Sequence, residues 1–368
     1  LNPMGRPIGF FLYKNGAKGK TNKSKERGEN MAIIKTDCAI LSAASVVGKK
    51  EKDGPLGAVF DIHGADDRFG QKTFEKAEAE MQRLSFNTAL AKGGFHEGEI
   101  DALFAGDLLN QCIGAAYGLK DFNIPYFGLY GACSTAAEGL ALASLLTSAG
   151  VFGRVGVVAS SHFCAAERQY RTPLCYGGQR TPTAQWTVTG AGAFILGRER
   201  EKAKAFIHAV LPGIVRERGV KDAANMGAAM APAAADTLLR FFRESGTHPT
   251  DFDLIATGDL GYEGGAILCE LMRIEGVEID SVYNDCGMMI YSRETQDTHA
   301  GGSGCGCSAA VLASYLLPKL FSGALRRVLL LGTGAMMSPQ AIQQGECIPA
   351  IAHLVCLTSK EGNEWNWS

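Results

Sequence analysis

The chain of 368 residues carries little excess charge of either sign: 36 lysines and arginines stand against 38 aspartates and glutamates, a formal net charge of -2. A polyanion would therefore find no electrostatic footprint. No basic stripe with interleaved aromatics and no zinc-type Cys/His spacing occurs either, so nucleic-acid binding is set aside. No apolar run reaches the ~20 residues needed to span a bilayer, and no secretory signal is evident. Cysteine itself is not scarce, but a disulfide or metal framework is missing. Eleven cysteines are scattered through apolar stretches, and the pair Cys305 and Cys307 has no second pair or histidine at ligand spacing. These absences predict a chain with reduced thiols, no metal site of its own, and a place on the cytoplasmic side.

At 46% hydrophobic and 20% charged residues, the chain can bury a large core as one big domain or two ordinary ones. Its first 30 residues differ from the rest. Arg6, Lys14, Lys18, Lys20, Lys23, Lys25 and Arg27 face only Glu26 and Glu29, with little apolar material to pack, which predicts a disordered basic tail over residues 1–30. Met31 reads as a natural start. From there short apolar strands alternate with longer helical stretches. Thr73 to Leu90 reads as an amphipathic helix, while Ile100 to Ala105, Val155 to Ala159 and Gly190 to Leu196 read as strands. Such alternation predicts an α/β fold with helices covering the sheets.

One stretch concentrates chemistry. In Tyr130-Gly131-Ala132-Cys133-Ser134-Thr135, a cysteine lies between a strand-like run, Ile124 to Leu129, and a helix-like run, Leu140 to Leu146. A thiol at such a corner would meet the positive end of the helix, which favours a thiolate. A small buried cysteine is the plain alternative.

The second half of the chain repeats the first. Gly94-Phe95-His96-Glu97-Gly98-Glu99-Ile100-Asp101 and the following residues to Leu108 recur 152 residues later, from Gly246 to Leu260, with six of fifteen positions identical. Gly131-Ala132-Cys133-Ser134 leading to Arg154-Val155 has its counterpart in Gly304-Cys305-Gly306-Cys307 leading to Arg327-Val328, at an offset of 173. The chain thus reads as a tandem duplication, with one half over residues 31–200 and the other over 201–368. Equivalent strand ends of two such halves converge on one shared site.

This organisation resembles the thiolase and ketosynthase superfamily, in which two duplicated halves bury a nucleophilic cysteine at the start of a helix. The resemblance implies a layered α-β-α-β-α sandwich, and it places Cys133 at the nucleophile position. Asp251-Phe252-Asp253-Leu254-Ile255 resembles the strand leading to a catalytic histidine, but Gly258-Asp259 stand where that histidine belongs. Ala300-Gly301-Gly302-Ser303-Gly304 resembles the loop that supplies the last catalytic residue, yet neither His nor Asn occurs from Ala300 through Ala324. Condensation needs donors for the charge developing on a thioester oxygen. A chain lacking them is expected to be a binding protein, with an acyl-thioester condensing or acyl-transfer enzyme using Cys133 as the competing reading.

Within the superfamily the chain is similar to the stage V sporulation protein AD family of spore-forming bacteria. The strings that carry this include Lys50-Glu51-Lys52-Asp53-Gly54-Pro55, Ala105-Gly106-Asp107-Leu108, Ser160-Ser161-His162, Ala166-Glu167-Arg168-Gln169, Tyr176-Gly177-Gly178-Gln179 and Asn284-Asp285-Cys286-Gly287. The family resemblance implies a homodimer peripheral to the spore inner membrane. It implies binding of dipicolinic acid, with calcium as a companion, for its movement into the forming spore and its release in germination, together with membrane proteins of the same operon. No cofactor is implied. A flat dicarboxylate calls for arginine forks, N–H donors and a flat wall. Arg168, Arg171, His162, Gln179 and Ser303 are the candidate contacts beside Cys133, and Tyr170 or Tyr176 the candidate wall. Asp107 and Asp259 follow the two repeated strands, and Asp285 lies in the inserted segment. Each reads either as a cap on its own turn or as an oxygen ligand for calcium.

Overall fold

The computed structural model describes residues 33–170, 180–360 and Gly362; the basic tail expected over residues 1–30 lies outside them. Thirteen strands are defined among these described residues. The first half contributes β1 (Ile34–Val47), β2 (Ile62–His63), β3 (Ala102–Gly106), β4 (Tyr126–Leu129), β5 (Arg154–Ser161), β6 (Trp186–Thr187) and β7 (Gly190–Gly197). The second contributes β8 (Ala205–Leu211), β9 (Leu254–Thr257), β10 (Tyr283–Asp285), β11 (Gly302–Ser303), β12 (Arg327–Ala335) and β13 (Ala350–Ser359).

The duplication read from sequence is written into the sheet. The strand order is β4-β3-β5-β7-β1 in one half and β10-β9-β12-β13-β8 in the other, and the halves join edge to edge where β1 pairs antiparallel with β8. Small motifs repeat with them. The Phe74–Gly93 helix ends on Gly94 (φ 70°) and the Met226–Ser245 helix on Gly246 (φ 66°), left-handed caps that glycine adopts without a Cβ penalty. Asp101 Oδ2 then accepts from the N–H groups of Gly153 and Arg154, and Asp253 Oδ2 does the same for Arg326 and Arg327. Each aspartate ties the start of one parallel strand to its neighbour.

Helices fill three layers. The Phe74–Gly93 helix, capped by the Thr73 hydroxyl accepting from Lys76 N–H, packs on β1 and β7. The Met226–Ser245 helix covers β12 and β13. Between the halves lie the helices Thr135–Ser148 and Cys305–Val311, which touch each other; the former also touches strands of both halves. Strands β5, β7, β12 and β13 are therefore buried on both faces along nearly their whole length, as expected for sheets covered on both sides. The N-termini of the two central helices carry Cys133 and Cys305, so the duplicated corners meet in the middle of the molecule.

Candidate functional site

The site begins at the end of β4. The chain leaves Leu129, turns at Gly131, and passes Ala132 in the left-handed region (φ 53°) before the Thr135–Ser148 helix starts. That conformation costs an alanine about 1–2 kcal/mol. Local hydrogen bonds hold it: Ser134 Oγ donates to the Gly131 carbonyl at 2.6 Å, Thr135 Oγ1 to the Ala132 carbonyl at 2.7 Å, and Gly131 N–H to Thr135 Oγ1 at 3.1 Å. The strained corner aims Cys133 into the interior, where it is 6% exposed.

The second half brings the neighbours. β11 pairs parallel with β6, Ser303 opposite Thr187, which sets Ser303 Oγ 3.9 Å from Cys133 Sγ. Ser303 Oγ donates to Asp259 Oδ2 at 3.0 Å, Gly304 N–H donates to the same oxygen at 2.8 Å, and Thr333 Oγ1 donates to Asp259 Oδ1 at 2.7 Å. Gly304 has φ +104°, and a Cβ there would lie 2.5 Å from Ser161 Oγ, so only glycine lets the loop deliver its N–H to the carboxylate. Burial and the charge of Asp259 push the Cys133 thiol well above its ordinary range. Burial also raises Asp259, against the hydrogen bonds that favour its charged form. The thiolate expected from the helix terminus is thus opposed by desolvation and by a facing carboxylate.

A cavity of about 280 Å³ opens above Cys133. Cys133, Ser303, Thr187 and Glu167 form its buried floor, and Tyr130, Tyr170, Met226, Met336 and Met337 its more open rim. Thr187 Oγ1 donates to Glu167 Oε1 at 3.3 Å. At the rim the Tyr130 and Tyr170 hydroxyls lie 2.9 Å apart, and Tyr170 donates to the Leu108 carbonyl at 2.6 Å. Among the described residues the lining contains no lysine or arginine.

The fold that carries this geometry is shared with solved structures of known enzymes. The structure is similar to 3-oxoacyl-[acyl-carrier-protein] synthase III from Aquifex aeolicus VF5, with 12% identity, 87% of this chain and 99% of that one covered, and a TM-score of 0.53. A variant of OleA from Xanthomonas campestris gives 14% identity, 89% and 99% coverage, and a TM-score of 0.56. At these identities the likeness establishes the thiolase-like fold. The family model of stage V sporulation protein AD (SpoVAD) matches residues 28–358. Stage V sporulation protein AD of Bacillus subtilis (strain 168) is 41% identical over 329 residues, 89% of this chain and 96% of that protein. The chain belongs to the stage V sporulation protein AD family.

The residues that sequence reasoning offered for a SpoVAD-type site fall into three groups. Cys133 and Ser303 line the cavity, with Tyr170 as one wall and Asp259 directly behind Ser303. Asp107, His162, Arg168 and Asp285 do not line it. Asp107 accepts from the N–H groups of Leu109 and Ala115 at 2.8 and 2.7 Å, the turn-capping alternative. Asp285 accepts from Thr257 Oγ1 and from the N–H groups of Leu260, Gly261 and Met288. His162 is fully buried, with Nε2 at 2.6 Å from the Asp67 carbonyl and its ring beside Phe74. Arg168 turns outward to pair with Glu75. Arg171, Tyr176 and Gln179 lie outside the described residues. Among the described residues no group of three or more His, Cys, Asp or Glu is placed to hold a metal ion, and no helix is long and apolar enough to cross a membrane.

Sequence reasoning missed Glu167, Thr187, Met226, Met336 and Met337. For Glu167 a signal existed, since it stands one residue before Arg168 in a quoted family string. The three methionines come from two segments far apart in sequence, and nothing local marks them.

Proposed function

We propose that this protein is a non-catalytic, thiolase-fold member of its sporulation family that binds dipicolinic acid in the cavity above Cys133, for the compound's movement into the forming spore and its release in germination. The observation that carries the non-catalytic part is the pairing of Cys133 with Asp259 through Ser303. A nucleophilic cysteine is activated by a base or cation that stabilises the thiolate, and here the facing group is a carboxylate. The aromatic-ring part is supported by the cavity lining, which supplies no lysine or arginine for the carboxylates among the described residues. The tyrosines and methionine thioethers of the lining suit the faces and edges of a flat ring, and mainly apolar concave pockets are the usual homes of small ligands.

Membrane proteins of the same operon are the proposed partners, with the protein held peripherally at the spore inner membrane. A second copy is also proposed, seated on β4. That strand is hydrogen-bonded to β3 alone among the described strands, and no charged residue interrupts the sequence from Ile124 to Cys133. An open, neutral edge is what natural proteins otherwise block, and an identical edge is its natural cover.

Thermal unfolding with added dipicolinate tests the reading. Binding to the folded state raises Tm, and Met226→Trp at the rim is expected to abolish the rise. Incubation with acyl-CoA followed by intact-protein mass spectrometry should leave the protein unmodified. No rise in Tm at millimolar dipicolinate, or an acyl adduct lost in Cys133→Ser, would overturn the proposal in favour of an acyl-transfer enzyme.

A further inference from the structure

Away from the Cys133 cavity, two cations are gathered at one indole. The Lys50 ammonium lies 4.0 Å from the centroid of the Trp186 ring and the Arg180 guanidinium carbon 4.7 Å from it. Phe163 stacks on the same ring at 3.8 Å between centroids, 7° from parallel. The platform is built by short-range order. Trp186 opens β6, fixed by its N–H donating to the Gly301 carbonyl at 2.8 Å, and Lys50 sits in the short Lys49–Lys52 helix, whose carbonyl at Lys50 receives Gln296 Nε2 at 2.7 Å. Both cations are half-buried.

The charges do not balance. Arg180 Nη2 reaches the Asp297 carbonyl at 2.5 Å and its carboxylate at 3.4 Å, but that carboxylate is exposed and also serves His299 Nε2 at 2.8 Å. Arg180 Nη1 is buried without a hydrogen-bond partner. Lys50 has the indole face, and among the described residues the charges of Asp297, Glu51 and Asp67 act on it without closing an ion pair. Burial, with the repulsion of Arg180, pulls its ammonium below the usual lysine range. Holding two like charges together out of water is unfavourable unless an anion joins them, and a buried guanidinium donor left open carries its own cost. A cleft of about 640 Å³ begins at Arg180 and continues past Arg293 and His299, with Glu294 and Asp297 also in its lining, a size that suits a small molecule.

We propose that Lys50 and Arg180 form an anion site at Trp186 that takes a carboxylate group of a small organic acid. Arg180 Nη1 supplies the directional donor, Lys50 the neutralising point charge, and the cleft toward Arg293 room for the rest of the acid. None of Lys50, Arg180 and Trp186 lines the Cys133 cavity, so the inference stands whether or not that cavity takes dipicolinate.

The test uses the full chain and glutarate, which absorbs no light near the tryptophan band. Lys50, its ammonium destabilised, should be acetylated by dilute acetic anhydride faster than Lys49 and Lys52, as read from peptide masses. Glutarate should slow Lys50 at least fivefold and saturably, leave Lys49 and Lys52 unchanged, and lose its effect in Arg180→Gln. Trp186 fluorescence should follow the same titration and fail to respond in Lys50→Met, which gives a second readout if Arg180→Gln does not fold. Equal Lys50 acetylation with and without glutarate, or equal protection by sodium chloride at matched ionic strength, would overturn the site. Protection by sulfate as strong as by glutarate would overturn the assignment to carboxylates.

Discussion

Cys133 and Asp259 face each other across a single hydroxyl: Ser303 Oγ lies 3.9 Å from the Cys133 sulfur and donates to Asp259 Oδ2 at 3.0 Å. Since Ser303 spends its proton on the carboxylate, the thiol hydrogen is left to point at Ser303 Oγ. The chain of donors therefore runs from thiol to hydroxyl to carboxylate, while burial and the charge of Asp259 push the thiol up. Alkylation of Cys133 by iodoacetamide at pH 8 should be slow. Asp259→Asn removes the charge that helps to raise the thiol and should speed the reaction severalfold, burial still keeping it slower than at an exposed cysteine. An unchanged rate in Asp259→Asn would show that the carboxylate has no hold on the thiol.

Asp285 makes a different prediction, because its carboxylate is spent on structure. It receives Thr257 Oγ1 at 2.6 Å, Leu260 N–H at 2.8 Å, Gly261 N–H at 3.0 Å and Met288 N–H at 3.2 Å. It thereby joins the end of β9 to the starts of two helices. Asp285→Ala leaves several buried donors unmet and should cost about 3 kcal/mol or more in urea unfolding, with Asp285→Asn costing less. A ligand-binding carboxylate would behave in the opposite way, its loss sparing stability.

These two aspartates mark how far the sequence could be read. The repeat beginning at Gly94 and Gly246 was legible because the glycine caps and the Asp101 and Asp253 ties are local devices that recur with the residues encoding them. Cys133, Asp259 and Ser303 were legible because they sit at duplicated strand ends, which symmetry brings together. The cavity walls were not legible. Met226 opens one helix and Met336 and Met337 follow β12, and their meeting is a property of the packed layers. Arg168 was offered as a ligand contact for its guanidinium fork and its place in a family string, neither of which says which way a side chain faces. Adjacent residues on a helix point about 100° apart, so when Glu167 faces the cavity its neighbour faces Glu75 on the outside.

Glu51 predicts a pH dependence. Its carboxyl is fully buried, accepts from Thr189 N–H at 3.0 Å and from the Tyr291 hydroxyl, and is pushed up to about 7, first by desolvation. A carboxyl raised above its unfolded value near 4.5 holds its proton more tightly when folded. Its favourable contribution is complete below about pH 4.5 and is lost as pH rises toward 7. Glu51→Gln keeps an acceptor for Thr189 and Tyr291 but cannot ionise. It should match the wild type near pH 4.5 and exceed its stability at pH 8 by on the order of 2–3 kcal/mol. Parallel denaturation curves across that range would contradict the assignment.

The last prediction concerns the open edge of β4. Tyr126, Phe127 and Tyr130 are 38%, 46% and 50% exposed, and Tyr117 on the neighbouring Ile113–Leu119 helix is 62% exposed. Phe127 stacks on Phe104 at 5.0 Å between centroids, so the edge is rigid as well as apolar, and a flat, rigid edge with free N–H and C=O groups recruits another strand. If a second copy covers it, a lysine at Phe127 would meet its own counterpart across the two-fold axis and be buried unpaired. Phe127→Lys should therefore sediment as a monomer where the wild type sediments as a dimer. Tyr117→Lys, which disturbs less of the packing within one copy, should weaken the dimer while leaving the melting of the folded chain nearly unchanged. A wild type that is monomeric at micromolar concentration would remove the second copy from the edge. Because Tyr130 belongs both to this edge and to the rim above Cys133, it would also leave one wall of the cavity open to solvent.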